Sequence, residues 1–455
     1  MKTNYLFPFV LTITWTNNLH LVQAGQDDTV NIFDHALESQ TQQTSSVYHK
    51  LKESVKKTLR GFSKCNPPPL QPGFACVESI TSTYNWTQFG NDIDGVVEDG
   101  FLGLSVSMDE GGTRVAMGGK SILMLYDSFV RDFSGTRGWE VSGNLGRFFA
   151  NYVVSVSLSG DGKHIIAGEQ SQMTRSSANI GTVIVFQNNE DLSWTQVGNT
   201  LTGQSNDDGF GRSVDISNDG SVIAIGAPYG KYASIYNLED FTWNLKFKQG
   251  SGNFGWSISL ASKLNRVAMG APNEDTSSAG SVYIYNLENN DLIQKIDGST
   301  AGDKFGKSLS MSKNGDRLVV GAPDADYVKI YDMSQEDLTY NELPISLEAL
   351  SGIKFGSSVS MSGDGNIVAV GSPGSDDGGN NVGKTFLYFV GCTSYKEIGS
   401  ITGEAATDES GYAVAVNGSG NRTALGAFNN EGMFAGVGGA FNAGHVRVFE
   451  ATISE

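Results

Sequence analysis

FGRSVDISNDGSVIAIGAP, from Phe210 to Pro228, decides the fold, because the chain repeats it. Close copies run Phe254–Pro272 (FGWSISLASKLNRVAMGAP), Phe305–Pro323 (FGKSLSMSKNGDRLVVGAP) and Phe355–Pro373 (FGSSVSMSGDGNIVAVGSP). Worn copies occupy Leu102–Gly119, Tyr152–Gly168 and Ser410–Phe428. Anchored on the first residue of the S-V-S core, the units fall at Ser105, Ser155, Ser213, Ser257, Ser308, Ser358 and Ala413. Seven units at a period of about fifty residues signal a propeller or an array.

Inside a unit, S-V-S-x-S alternates small polar with apolar residues, the period of a half-buried strand. Asp161-Gly162, Asp219-Gly220, Asn314-Gly315 and Asp364-Gly365 follow. Asn or Asp before Gly is expected to supply the positive φ angles of a tight hairpin. A Val/Ile/Ala run then ends at Gly-Ala-Pro. A third strand follows a variable loop, as in Gly181–Phe186, Gly280–Tyr285, Tyr327–Tyr331, Gly383–Phe389 and Gly444–Phe449. The fourth is short and often carries Trp: Trp86–Gly90, Trp194–Gly198, Trp243–Phe247, with Tyr395–Gly399 in the same place. Four antiparallel strands make one propeller blade. Each Phe of Phe-Gly is expected between neighbouring blades. Trp86–Gly90 has no blade of its own, and the last unit lacks a fourth strand. The two ends are therefore expected to share one blade and close the ring, leaving no open edge.

The sequence is thus read as all-β, a seven-bladed propeller over 81–455 preceded by a short helical segment. The chain has 455 residues and a net charge of −18, which argues against nucleic acid as a partner. Residues 1–24 read as a secretory signal, with Lys2, the apolar run Leu6–Trp15 and a Val22-Gln23-Ala24 cleavage site. No later stretch would span a membrane, so the mature chain is expected outside the cell or at its surface. Within the leader 25–64, Val47, Leu51, Val55, Leu59 and Phe62 recur at helical spacing beside a run of Lys and Arg. Cys65 and Cys76 bracket a Pro-rich loop (65–80) and are expected to form a disulfide. Cys392, just after a strand, is read as a buried thiol, with pairing to another chain as the alternative. Asn85, Asn417 and Asn421 head glycosylation acceptors, and the last two are expected to be exposed.

None of the five His falls in a catalytic or zinc-binding frame, and no catalytic or metal-ligating residue is assigned. Acidic loops at Asn206-Asp207-Asp208, Asn273-Glu274-Asp275, Asp324-Ala325-Asp326 and Asp376-Asp377 are weighed as calcium sites. They lack the Asp-x-Asp-x-Asp-Gly run that converges several oxygens on one ion. Turn chemistry is the preferred reading, and no cofactor is expected.

The units with Phe-Gly in front and Gly-Ala-Pro or Gly-Ser-Pro behind resemble FG-GAP repeats, those of the integrin α-subunit propeller. The hairpin S-x-D-G is similar to the calcium-poor variety. The resemblance implies an extracellular propeller used for adhesion or protein interaction. Metal-dependent ligand binding does not carry over, because the Asp-rich runs are missing. The expected role is a non-enzymatic module binding a protein or glycan ligand through the loops Asn273–Gly280, Ser372–Gly383 and Asn429–Gly444 on one face. The alternatives are a propeller enzyme acting on carbohydrate through paired carboxylates, and a structural component of a matrix or surface appendage.

Overall fold

The computed structural model describes residues 2–3, 13–14, 82–95, 99–120, 122–131, 136–144, 152–170, 180–189, 193–250, 253–261, 263–274, 279–334, 336–430 and 442–454. By internal contacts the chain divides into two units. One is Met1–Cys76 with Gln335–Asp337, and the other is Val77–Ser334 with Leu338–Glu455. In the first, Lys2–Thr3 pairs antiparallel with Ile13–Thr14. The rest of the expected signal, the helical leader and the Cys65–Cys76 loop lie outside the described residues. Among the described residues there is no helix, and so none long and apolar enough to cross a membrane.

The second unit is seven antiparallel sheets. Blade 1 comprises Ser105–Met108, Arg114–Gly119, Ile122–Arg131 and Thr136–Asn144. Blade 2 comprises Tyr152–Leu158, His164–Gln170, Thr182–Asn188 and Trp194–Gln196, with Leu201–Thr202 added beside the third strand. Blade 3 comprises Ser213–Ile216, Val222–Ala227, Tyr232–Glu239 and Thr242–Gln249. Blade 4 comprises Ser257–Ala261, Arg266–Ala271, Ser281–Asn286 and Leu292–Asp297. Blade 5 comprises Ser308–Met311, Arg317–Ala322, Tyr327–Met333 and Tyr340–Glu348. Blade 6 comprises Ser358–Met361, Ile367–Ser372, Lys384–Val390 and Tyr395–Thr402. Blade 7 takes Ala413–Val416, Arg422–Ala427 and His445–Ser454 from the end of the chain and Thr83–Gln88 from its front. The register Trp86↔Ala451 fixes that last pairing, as the orphan Trp-bearing segment implied.

First strands of successive blades touch all the way round, including blade 7 against blade 1, so the ring is closed. The core lies between blades, in seven apolar clusters that each draw on two neighbours. Phe210, Phe254, Phe305 and Phe355 are each at most 1% exposed and fill these interfaces. Burying one such ring contributes ~2–3 kcal/mol. Gly-Ala-Pro owes its glycine to the same interface. A Cβ on Gly226 would stand 2.0 Å from the carbonyl oxygen of Gly255 in the next Phe-Gly, and Gly270, Gly321 and Gly371 repeat this approach.

The S-V-S serines stitch the inner strands together. Ser213, Ser257, Ser308 and Ser358 donate through Oγ to the carbonyl of the corresponding glycine in the next blade, that of Phe-Gly or, in blade 7, Ser410-Gly411, at 2.7–2.9 Å. Ser105 and Ser107 accept from Val156 N and Leu158 N. Alternation in this strand thus separates a face that packs between blades from a face that bonds across to its neighbour.

The hairpins differ from expectation in one respect. Gly220 N donates to Ser217 O at 2.9 Å, and only Gly220 carries a positive φ, 75°. Asp219 instead accepts from Ser217 Oγ and Ser221 N, which holds its carboxyl below the ordinary range despite partial burial. The Asp is there as an acceptor, while the glycine alone provides the unusual backbone angle.

Candidate interaction face

The two ends of the central channel are built differently. At the hairpin end the tips bond to one another around the axis. Lys313 N donates to Gly363 O, Gly363 N to Gly418 O, Gly418 N to Glu110 O and Glu110 N to Gly160 O, at 2.8–3.1 Å. Glu110 of blade 1 then reaches across to Asn218 Nδ2 of blade 3 at 2.8 Å and Lys313 Nζ of blade 5 at 2.6 Å. In blades 1, 5 and 7 the first residue of the second strand is an arginine that braces the tip of the next blade from outside. Arg317, fully buried, makes a two-pronged pair with Asp332 at 2.6 and 2.8 Å and donates to Gly365 O and Val390 O. Arg422 does the same with Glu450 and Gly112 O, and Arg114 reaches Gly162 O. Much of the hydrogen bonding among the described residues at this end is thus made within the ring.

At the other end lie the loops between second and third strands and between blades. Their frame is rigid. Asp208, 1% exposed, accepts from Gln204 N, Ser205 N, Phe210 N and Tyr232 Oη. Asp326 accepts from Gly352 N and Phe355 N, and Asp408 from Glu404 N and Ala405 N. Asp376 accepts from Asn381 N, Asp377 from Lys384 Nζ, and Glu274 from Tyr283 Oη. Of the carboxylates weighed as calcium ligands, Asp208, Glu274, Asp326, Asp376 and Asp377 thus tie down loop amides or pair with neighbouring side chains, and Asp275 lies outside the described residues. Ser372–Gly383 is fastened to the following interblade loop, with Thr407 N bonding Asn380 O and Ser410 N bonding Val382 O. Asn273–Gly280 and Asn429–Gly444 are described only in part.

The residue immediately before each S-V-S core lies at the loop end of the inner strand, in blade 2 already within it. It varies from blade to blade: Leu104, Val154, Arg212, Trp256, Lys307, Ser357 and Tyr412. Three of these interlock across blades 3, 4 and 5. The Arg212 guanidinium lies 5.2 Å, and the Lys307 ammonium 4.6 Å, from the Trp256 ring, while Tyr229 meets it edge-on at 6.1 Å. Burial and then the nearby Arg212 charge lower the Lys307 pKa; Lys304 and Lys354 act in the same direction and Asp324 opposes them. Cations have been gathered here in a chain of net charge −18. Across blades 7, 1 and 2 the sector is aromatic instead. Tyr412 and Phe428 lie 4.4 Å apart, and Phe101 bridges Phe428 and Tyr152 at 6.1 Å each.

With this geometry in view, blade 6 identifies itself by its repeat. Residues 348–388 match the FG-GAP repeat. That FG-GAP match runs from the end of blade 5 to the third strand of blade 6. Together with the seven-bladed ring it agrees with an integrin α-like propeller. The crystal structure of the Myceliophteria thermophila Cps50 (Swd1) beta-propeller domain is similar, with a TM-score of 0.55 at 11% identity over 80% of this chain and 99% of that one. This is a likeness of fold. No curated protein matches the chain.

The remaining sequence-derived sites divide. Asn85 is exposed on the outer strand of blade 7, and Asn421 is half-buried. Asn417 was expected to be exposed, but it is 1% exposed: its Oδ1 accepts from Arg422 N and its Nδ2 donates to Ser419 and Asn421. It stands where other blades use Ser, as the hairpin's internal acceptor, so the expected exposure is corrected. Cys392, in the turn between the outer strands of blade 6, is disulfide-bonded, which corrects the expected thiol. Its partner lies outside the described residues, as do Cys65 and Cys76. The chain holds three cysteines, so an intrachain bond at Cys392 and a Cys65–Cys76 bond exclude each other. The mouth cluster escaped the sequence reading. Its only trace is one variable position in an otherwise regular repeat.

Proposed function

We propose that the propeller is a non-enzymatic interaction module outside the cell, engaging an acidic protein or glycan at the loop end of its channel. The observation that carries this is the Arg212–Trp256–Lys307 stack. Cations held over an aromatic face retain their charge while losing part of their hydration, which suits carboxylate or sulfate groups and sugar or side-chain rings. The tied loops around the stack favour a preformed surface, which lowers the ordering cost of binding. The disulfide at Cys392 and the signal-like pattern of residues 1–24 support an oxidising, extracellular setting. The carbohydrate-processing alternative requires two carboxylates facing one another across a cleft. The charges acting on Lys307 at this mouth are instead mostly cations, Arg212, Lys304 and Lys354 against Asp324.

The test is affinity capture from the extracellular fluid of the source cells, comparing the natural chain with one in which Arg212, Trp256 and Lys307 are all Ser. Loss of the captured partner, with the fold retained, is the expected outcome. Equal capture by both chains overturns the proposal. Turnover of a glycan by the natural chain would favour the enzymatic alternative.

A further inference from the structure

The seam of blade 7 carries a second arrangement, away from the channel mouth. The short strand Ile93–Asp94 pairs antiparallel with the start of the last strand, in the register His445↔Asp94 and Val446↔Ile93. Residues directly opposite one another project from the same face, and residues two apart share a face. Ile93 and Val446 accordingly turn into the core, at 3% and 0% exposure. Asp92, Asp94 and His445 bring their ligand atoms together on the other side, all within 4.8 Å of one another.

His445 supplies the independent observation. It is 1% exposed, and its Nε2 has no hydrogen-bond partner. Nδ1 lies 3.8 Å from Glu404 Oε2, beyond hydrogen-bonding range. Buried polar atoms are normally satisfied, and an exception needs an explanation such as an ion. The surroundings favour a cation, since a third carboxylate, Glu404, stands beside the buried imidazole. Arg447 stands nearby, but its guanidinium is directed to Glu404 Oε1 at 3.4 Å and to Thr402 O at 2.8 Å.

We propose that Asp92, Asp94 and His445 bind one divalent transition-metal ion of the zinc class where the front and the end of the chain meet in blade 7. Two carboxylates and a neutral imidazole are a borderline-soft donor set suited to such ions at ~2.0–2.2 Å. Calcium, which takes six to eight oxygens, is poorly served by a nitrogen. The ligands come from residues more than 340 positions apart, so the ion would fasten ring closure directly.

The test uses the full chain, freed of metal by chelation and titrated with zinc chloride by calorimetry, with thermal melts alongside. One ion per chain, a melting temperature that rises with zinc concentration, and no comparable effect of calcium are expected. Asp92→Asn with Asp94→Asn should abolish this binding and leave the metal-free melt unchanged or raised, because it relieves like-charge repulsion. His445→Gln should weaken binding as well. If that variant does not fold, the two half-buried Asp positions still decide the matter. Absence of saturable zinc binding to the natural chain overturns the proposal. So does binding that survives the double Asp→Asn change, which would place zinc elsewhere, for instance on His35 and His49.

Discussion

The hairpin end and the loop end of the channel come from the same seven repeats, yet one repeats its chemistry and the other varies it. At the hairpin end, Ser-x-Asp-Gly turns, tip-to-tip amide bonds and bracing arginines recur around the ring. At the loop end, one position runs through Leu, Val, Arg, Trp, Lys, Ser and Tyr. Recurrence is what closing the ring demands, because every interface must fit the same way. Variation on a frame held by Asp208, Asp326 and Asp408 is what a binding surface needs. The lesson is that departures from the internal pattern point to function more directly than the pattern does.

The largest expected effect is at the hairpin end. Arg317→Met leaves Asp332 and two carbonyls without their donor and should destabilise by about 3–5 kcal/mol in urea unfolding. A loss below 1 kcal/mol would mean that these braces are incidental. Next is Gly226→Ala, whose methyl would meet a backbone carbonyl of the next blade; a loss of ~1–3 kcal/mol is expected. It checks that the loop end has its own invariant frame beneath the variable layer. Smaller is the combined Arg212→Ser, Trp256→Ser and Lys307→Ser change, which copies Ser357 of blade 6 at each position. Loss of the stacked contacts should cost about 1–2 kcal/mol in all, measured in the same way. If it unfolds the ring instead, the mouth is structural and the contrast between the ends disappears.

The smallest concerns pH. His164 occupies the bracing position of blade 2 against Gly220. Burial pulls its pKa below the ordinary 6.5, while Asp161 and Asp219 act the other way. The unfolded chain therefore takes up a proton that the folded chain refuses until a lower pH. Stability from this site is complete above 6.5 and is lost as pH falls through and below that value. His164→Val, which copies Val222 of blade 3, should flatten melting temperature against pH between about 5 and 7. An unchanged slope would assign the dependence to other groups.

Much of the ring was legible because its signals are local and repeated. Phe-Gly marked the interblade aromatic, Gly-Ala-Pro the close approach, and Trp86 the borrowed outer strand. What was illegible depends on neighbours that only the closed ring supplies. Arg212, Trp256 and Lys307 are unremarkable in sequence and meet because consecutive blades place them side by side. Asp92 and Asp94 meet His445 only through ring closure. Asn417 misled because its acceptor motif overlies a hairpin that uses the side chain internally. The Asp of Asp-Gly misled in a smaller way, since its carboxylate matters and its backbone angle does not.

Ring closure itself is open to one direct measurement. Asn85 and Thr452 are exposed partners on the outer two strands of blade 7. With Asn85→Cys and Thr452→Cys introduced together, oxidation should give an intramolecular disulfide in high yield and a higher melting temperature than the reduced form. Failure of those two cysteines to pair within one chain, while the protein remains folded, would contradict a propeller closed by its front strand.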